Sequence, residues 1–347
     1  MNVLLTCAGR RNFLVEFFQS ALAGRGRVVA CDTSMAAPAL SVADEGLLVP
    51  SMHDPGYFDA LLSLCQEQHI RVLISVNDLE LGGLARRAEE FREVGTTVVV
   101  SDSRVIAQCQ DKWKTFQLLR ESDIATPDTY LTPADVRQAL ARGALKFPII
   151  VKPRWGSSSI GFEHIENDRE LSLAYEWGMI QVRRSIFWNL SQGGCDECLV
   201  FQQQLCGDEY GMDVVNDLEG RHIATLVRRK MVMRCGNTDR AMTVSDQPLE
   251  RLGQVIGRRL GHIGSLDCDV MMTEAGPQVL DLNPRIGGGY PFSHVAGANL
   301  PAALIAWANG EEPDPAWFKP RAGVVASRCD EMMIVNSVES NARRVLC

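Results

Sequence analysis

No stretch of this 347-residue chain approaches the roughly 18 consecutive apolar residues that a membrane-spanning helix needs, so no such helix is expected. Positive charge is in deficit: 35 Lys and Arg stand against 43 Asp and Glu, a net charge of −8. A chain this acidic has no global field for nucleic acid or an anionic membrane, though local basic pockets for small anions stay open. No export leader is expected either. Met1–Leu5 is a short apolar strand with Arg10 and Arg11 after it, the reverse of a secretory signal, so a cytoplasmic location is expected. The 11 cysteines are odd in number and scattered, which reads as reduced thiols. Cys195 and Cys198 form a lone CxxC without the second ligand pair that zinc requires, and read as two loop thiols. At 46% hydrophobic and 22% charged residues the chain is not disordered, and its length allows two or three domains.

What is present starts with alternation. From residue 1 to about 105, short apolar strands (Val3–Cys7, Arg27–Cys31, Arg71–Val76, Thr96–Ser101) take turns with helical patterns, which predicts a parallel sheet covered on both faces. Strand one ends at Thr6-Cys7-Ala8-Gly9-Arg10-Arg11 and strand two at Asp32, an outline that mimics a dinucleotide site. The fingerprint needs three glycines at set spacing, and only Gly9 is there. A nicotinamide-dependent oxidoreductase is therefore the disfavoured alternative. Beyond residue 105 the strands lie mostly beside their sequence neighbours, and an α+β, largely antiparallel half is expected.

Four features of this second half carry chemistry. Asp267-Cys268-Asp269-Val270 and Leu280-Asp281-Leu282-Asn283 alternate acid with apolar residue across a turn at Thr273–Pro277. Period-two alternation puts Asp267, Asp269, Asp281 and Asn283 on one face of a hairpin, Asp269 opposite Asp281 and Asp267 opposite Asn283. Facing carboxylates repel unless a cation sits between them, and oxygen donors with open positions suit magnesium shared with phosphates. Arg285 follows on the same side. Second, Lys152 ends a strand and leads into Pro153–Gly161, where Ser157, Ser158 and Ser159 are small enough to close over phosphates. Third, Asp111-Lys112 opens an amphipathic helix. Fourth, Gln202-Gln203-Gln204-Leu205-Cys206-Gly207-Asp208-Glu209 offers a polar strand end and an acid for adenine and ribose.

In this order the four features resemble the ATP-grasp superfamily over nearly the whole chain. Leu4–Arg11, Val76-Asn77-Asp78-Leu79-Glu80-Leu81 and Asn283-Pro284-Arg285-Ile286-Gly287-Gly288-Gly289-Tyr290-Pro291 are similar to its carbamoyl-phosphate-synthase-like members. The resemblance implies α/β plus α+β architecture: a Rossmann-like pre-ATP-grasp domain at 1–104, then a two-lobed ATP-grasp domain. The small lobe with its glycine/serine loop would span 105–190, the large lobe with the metal hairpin 191–312, and a C-terminal segment 313–347. It implies ATP and one or two magnesium ions, with Mn2+ able to substitute. Lys112 and Lys152 would contact the α- and β-phosphates. Gln202, Gln203, Gln204 and Leu205 would line the adenine hinge, and Glu209 would hold the ribose. Asp269, Asp281 and Asn283 would carry the metal. Arg285 would bind the γ-phosphate or acyl phosphate, with Asn283, Arg229 and Arg234 assisting catalysis. The sequence departs from the family where Gln202 or Gln203 stands in place of a frequent glutamate and where Asp281 does, and the shorter acid bears on how metals are bridged.

The implied activity joins a small-molecule carboxylate to an amine through an acyl phosphate, with ADP formed, in a chain whose default assembly is a homodimer. A kinase, or an acyl-phosphate former without amide synthesis, is the alternative, and a non-catalytic nucleotide sensor a further one. Tyr290 and Phe292 stand between the acceptor pocket and the core. Asp78 and Glu80 stand between the cleft and helix capping. His294 reads as structural.

Overall fold

The computed structural model describes residues 1–156, 161–186, 188, 197–234 and 236–335. The first domain is a parallel sheet of β1 (Asn2–Thr6), β2 (Val28–Asp32), β3 (Glu45–Leu48), β4 (Ile70–Ser75) and β5 (Thr97–Val99), in the order β3-β2-β1-β4-β5. Helices α1 (Asn12–Leu22), α2 (Pro38–Val42), α3 (Tyr57–Glu67) and α4 (Asp78–Glu93) connect the strands. Strand residues of one parity (Val3, Leu5, Val28, Val72) pack with Leu14 and Phe18 of α1. Those of the other parity (Leu4, Val29, Leu73) pack with Leu61 of α3 and Leu84 of α4. Both faces are covered, which is why these strands read as continuous apolar runs.

The dinucleotide-like outline does not hold up. Asp32 spends its carboxylate on the Gly9 N–H at 2.9 Å, so it pins the turn rather than facing a ribose. Arg11 donates to the Cys7 and Val76 carbonyls and ties the ends of β1 and β4 together. Glu80 is fully buried beneath this turn, where it accepts hydrogen bonds from Thr6, Ser75 and the Tyr57 hydroxyl, the last at 2.5 Å. Asn77, not Asp78 or Glu80, supplies the side-chain cap of α4.

Helices α5 (Ser103–Gln110) and α6 (Lys112–Glu121) lead into an antiparallel sheet of β6 (Thr129–Tyr130), β7 (Ile149–Pro153), β8 (Glu163–Ile165) and β9 (Leu199–Gln203), ordered β6-β9-β7-β8. Helices α7 (Pro133–Ala141) and α8 (Asp168–Arg184) complete this lobe around Val136, Ile149, Leu171 and Phe201. The lobe therefore extends past the expected limit at residue 190. Strand β9 pairs with β7 from Ile149↔Gln203 to Pro153↔Leu199, instead of forming a hairpin with the strand that follows it.

The large sheet holds β10 (Asp208–Asn216), β11 (His222–Arg234), β12 (Asn237–Val244), β13 (Ser265–Thr273), β14 (Gly276–Asn283) and β15 (Val325–Ser327), ordered β14-β13-β10-β11-β12-β15. Helix α9 (Gln247–Leu260) buries Leu249 and Ile256 against Met212, Val214, Val227, Cys268 and Val270 on one face. On the other face, α10 (Tyr290–Val295) and α11 (Leu300–Ala308) join Val215 and Leu226 to the core of the first domain. Tyr290 and Phe292 are core residues, and His294 stacks on Phe17 of α1 at 3.6 Å between centroids. Strand β15, in the expected C-terminal segment 313–347, pairs with β12 and adds an edge to this sheet.

Replacing Tyr57 by Phe removes one donor from the buried Glu80 carboxylate. Chemical denaturation should show a loss of about 1–3 kcal/mol, against a much smaller loss for a surface control such as Glu67→Gln.

Candidate active site

The site face of the large sheet follows from strand parity. On β13 and β14 the registers Asp267↔Asn283 and Asp269↔Asp281 put all four side chains on one face, and Cys268 and Leu282 on the α9 face. Strand β10 lies beside β13 with Gly211↔Asp269 and Asp213↔Asp267. Strand β11 lies beyond it, with Gly211↔Arg228. Because residue 211 has no side chain, the cations of β11 reach across β10 to the acids of β13. Arg228 lies 2.7 Å from Asp213 and 3.0 Å from Asp267. Lys230 lies 2.6 Å from Asp269 and 2.6 Å from Glu209. A Cβ on Gly211 would come within 2.9 Å of the Arg228 guanidinium, and one on Gly289 within 2.1 Å. A Cβ on Gly287 would meet the Asp267 carboxylate at 2.2 Å. These glycines are small because charged groups fill their space.

Other parts of the chain supply the remaining charge. Arg285 leaves the end of β14 and is held by Asp267 at 3.2 Å and by Asp78, at the start of α4, at 3.1 Å. Lys112, the first residue of α6, donates to the Gly156 carbonyl at 2.7 Å and lies 3.6 Å from Asp281. Its helix is capped by Asp111, which Arg154 grips through Nε and Nη2 at 2.7 and 2.9 Å, so the start of α6 and the strand end after Lys152 are fastened together. A cleft lined by Asp78, Gln110, Lys112, Gly156 and Asn283 opens where these parts meet.

The low dielectric of the site shifts its protonation equilibria. Burial lowers Lys152 to about 8, and Asp281 only partly restores it. Burial also opposes charge on Arg285, Arg228 and Lys230, but their carboxylate partners more than offset it and raise all three. Asp267 is raised, chiefly by burial and then by Asp269. Asp269 resists its own burial through Lys230 and stays low.

Not every expected residue falls here. Arg229 belongs to the opposite parity of β11 from Arg228 and Lys230, and pairs with Asp208 at 2.9 Å on the far side of the sheet, which takes it out of the site. Arg234 pairs with Asp239 and Asp330 at the exposed end of the same strand, beyond two register shifts. Gln202 is buried and donates to Thr129. Gln203 is spent on the Pro148 and Gln204 carbonyls and the Lys146 N–H, and Gln204 meets His164. Ser157, Ser158, Ser159 and Cys195 lie outside the described residues. Sequence reading passed over Arg228, Lys230 and Asp213, whose only signal is the two-residue spacing they share with the acids.

Among the described residues no three His, Cys, Asp or Glu side chains form a metal-holding group. Two carboxylates in register plus the Asn283 amide nevertheless make an all-oxygen set that fits a hard cation completing its shell with phosphate and water.

The geometry is a parallel α/β domain followed by two lobes that meet at a row of acids and cations. Comparison with known proteins specifies it. Residues 3–99 match the family model described as PylC-like, N-terminal domain. Residues 195–331 match the model described as ATP-grasp in the biosynthetic pathway with Ter operon. In turn, then, the chain matches a PylC-like N-terminal domain and an ATP-grasp domain. The carbamoyl phosphate synthase large chain of Helicobacter pylori is 22% identical over 262 residues, 73% of this chain and 23% of that one. The chain thus spans about a quarter of the length of this curated relative. Among solved structures, biotin carboxylase from Campylobacter jejuni, in a βγ-ATP complex, has a TM-score of 0.74 at 13% identity, over 94% of this chain and 75% of that one. The L-amino acid ligase from Bacillus licheniformis has a TM-score of 0.66 at 17% identity, over 92% and 77%. The biotin carboxylase domain dimer of Hydrogenobacter thermophilus 2-oxoglutarate carboxylase, with MgADP and bicarbonate, has a TM-score of 0.72 at 17% identity, over 90% and 70%. These likenesses establish a shared fold. Among the described residues no helix is long and apolar enough to cross a membrane.

Lys152 gives a pH signature. Its folded pKa of about 8 lies below the ordinary 10.5, so between these values the unfolded chain binds the extra proton and stability rises with pH. Below about 8 both states are charged and the cost of burial is constant. Lys152→Met removes this dependence. The wild-type minus variant difference in unfolding free energy should climb by about 1–3 kcal/mol from pH 8 to pH 10.5. A flat difference would contradict the burial of that ammonium.

Proposed function

We propose that the chain is an ATP-dependent ligase that activates a carboxylate as an acyl phosphate, releases ADP and joins the acyl group to an amine. The observation that carries this reading is the convergence of Lys112, Lys152, Lys230 and Arg285 on the row of hairpin acids Asp267, Asp269 and Asp281. Such a set neutralises a triphosphate and stabilises charge on a phosphoryl group in flight, and no side-chain nucleophile is required.

In the proposed arrangement Lys112 and Lys152 hold the α- and β-phosphates, with the 157–159 serines over them. The 202–205 hinge faces adenine and Glu209 the ribose. Asp269, Asp281 and Asn283 would hold magnesium, which would supply charge neutralisation for the phosphates. Arg285, steadied by Asp78 and Asp267, meets the transferred phosphoryl group and then the acyl phosphate. The carboxylate oxygen attacks the γ-phosphorus and ADP leaves. The amine then attacks the acyl carbon, and inorganic phosphate departs as the amide forms and a proton is lost. Arg285 stands between the nucleotide face and Asp78 of the first domain, so the acceptor enters from the cleft beside Asp78 and Gln110. A homodimer is the proposed assembly, in line with the dimeric biotin carboxylase domain. The cytoplasm is the proposed location, in keeping with the buried free thiols Cys31, Cys65 and Cys268.

A screen of amino acids and small carboxylates for ADP release tests the reading, with mass spectrometry of the product. Once a carboxylate is found, withholding the amine and adding hydroxylamine should give a hydroxamate. Asp281→Asn should cut turnover at least 100-fold at ordinary magnesium while far-UV circular dichroism stays unchanged. Near-normal ADP formation in that variant would remove the metal assignment. Substrate-dependent ADP release whose product carries no new C–N bond would leave the kinase alternative.

A further inference from the structure

Lys230 is fastened to two residues that a magnesium–nucleotide complex would use. Its ammonium lies 2.6 Å from Glu209, the proposed ribose ligand, and 2.6 Å from Asp269, a proposed metal ligand. The lysine side chain is only 6% exposed, and both contacts keep it charged. The path to Asp269 crosses β10 at Gly211, where no side chain intervenes. The other acids of this face are occupied in the same way. Asp281 has Lys112 at 3.6 Å, and Asp267 has Arg228 and Arg285.

A bare divalent cation approaching Asp269 therefore meets an ammonium already in contact with it. Displacing that ammonium from Asp269 would strip a buried lysine of one of its two carboxylate partners and set it beside a second cation, a cost that a single exchanged contact does not recover. A nucleotide changes the balance. Its phosphates offer Lys230 a new anionic partner, and its ribose takes over Glu209.

We infer that Lys230 fills the divalent-cation position of the nucleotide-free protein, so that the metal enters only as its nucleotide complex. This rests on the nucleotide and metal sites proposed above and adds a residue that controls when the metal site exists. The Lys230–Asp269 contact is the closed state of the site, and nucleotide phosphate is what opens it.

Binding of Mn2+, followed through the electron paramagnetic resonance signal of the free aquo ion, tests this without turnover. Wild type, Lys230→Met, Lys230→Gln and Glu209→Gln would each be titrated with and without the non-hydrolysable analogue AMP-PNP. Without nucleotide, both Lys230 variants should bind Mn2+ at least tenfold more tightly than wild type. Adding Asp269→Asn to Lys230→Met should abolish the gain. Glu209→Gln should behave as wild type without nucleotide, because Lys230 still holds Asp269. Circular dichroism on each variant guards against loss of fold. If wild type binds bare Mn2+ as tightly as the Lys230 variants, the inference is overturned while the ligase reading stands. If wild type fails to bind Mn2+ even with AMP-PNP, the proposed metal site falls and this inference with it.

Discussion

Arg228 is the largest fully buried side chain of the protein's described residues, and its guanidinium lies between the carboxylates of Asp213 and Asp267 on one face of the large sheet. A charge so deep is tolerable only while both partners stay in place, since removing one strands the other without water. Much else is arranged around that requirement. Residues 211 and 289 are glycines because the guanidinium fills the space a Cβ would take, and Gly287 makes room for Asp267 in the same way. Ser293, on the helix that follows, donates to Asp213 and closes the far end. With Asp267 fixed from one side, its other oxygen is free to hold Arg285, and Arg285 in turn reaches Asp78 of the first domain.

The result is a chain of alternating charges from the first domain, through the mouth of the site, to the back of the large sheet. A second chain enters from the small lobe, where Arg154, Asp111 and the start of α6 set Lys112 against Gly156 and Asp281. Pairs of this kind add little net stability, because desolvation consumes most of their attraction. What they provide is placement. Cations from separate parts of the fold are held against one row of acids, Asp267, Asp269 and Asp281, so that charge developing on a phosphoryl group would find Lys112 and Arg285 already in place.

The hairpin acids were legible in the sequence because alternation with period two is a property of the strand itself. Asp267, Asp269, Asp281 and Asn283 fell on one face with the registers their spacing implies, although β13 and β14 carry a register shift next to Asp269. The parallel first domain was legible for a similar reason, as its strands are buried on both sides. The arginines of β11 were not. Arg228, Arg229 and Lys230 are adjacent basic residues, and only pairing with β10 decides which parity faces the acids. Strand β9 departs from the expected pairing of sequence neighbours because its partner, β7, lies about fifty residues upstream, and nothing local signals that pairing. Asp78 was visible as an acid at a strand end, but its partner Arg285 is 207 residues away and becomes apparent only once the domains are packed.

The central claim is that this charge array serves transfer of the terminal phosphoryl group of ATP to a carboxylate. Phosphorus-31 NMR during turnover, with a substrate whose carboxylate carries oxygen-18, tests it most directly. The account predicts ADP and inorganic phosphate, with one labelled oxygen in the phosphate seen as a small upfield isotope shift. Formation of AMP and pyrophosphate, or phosphate free of the label, would contradict it.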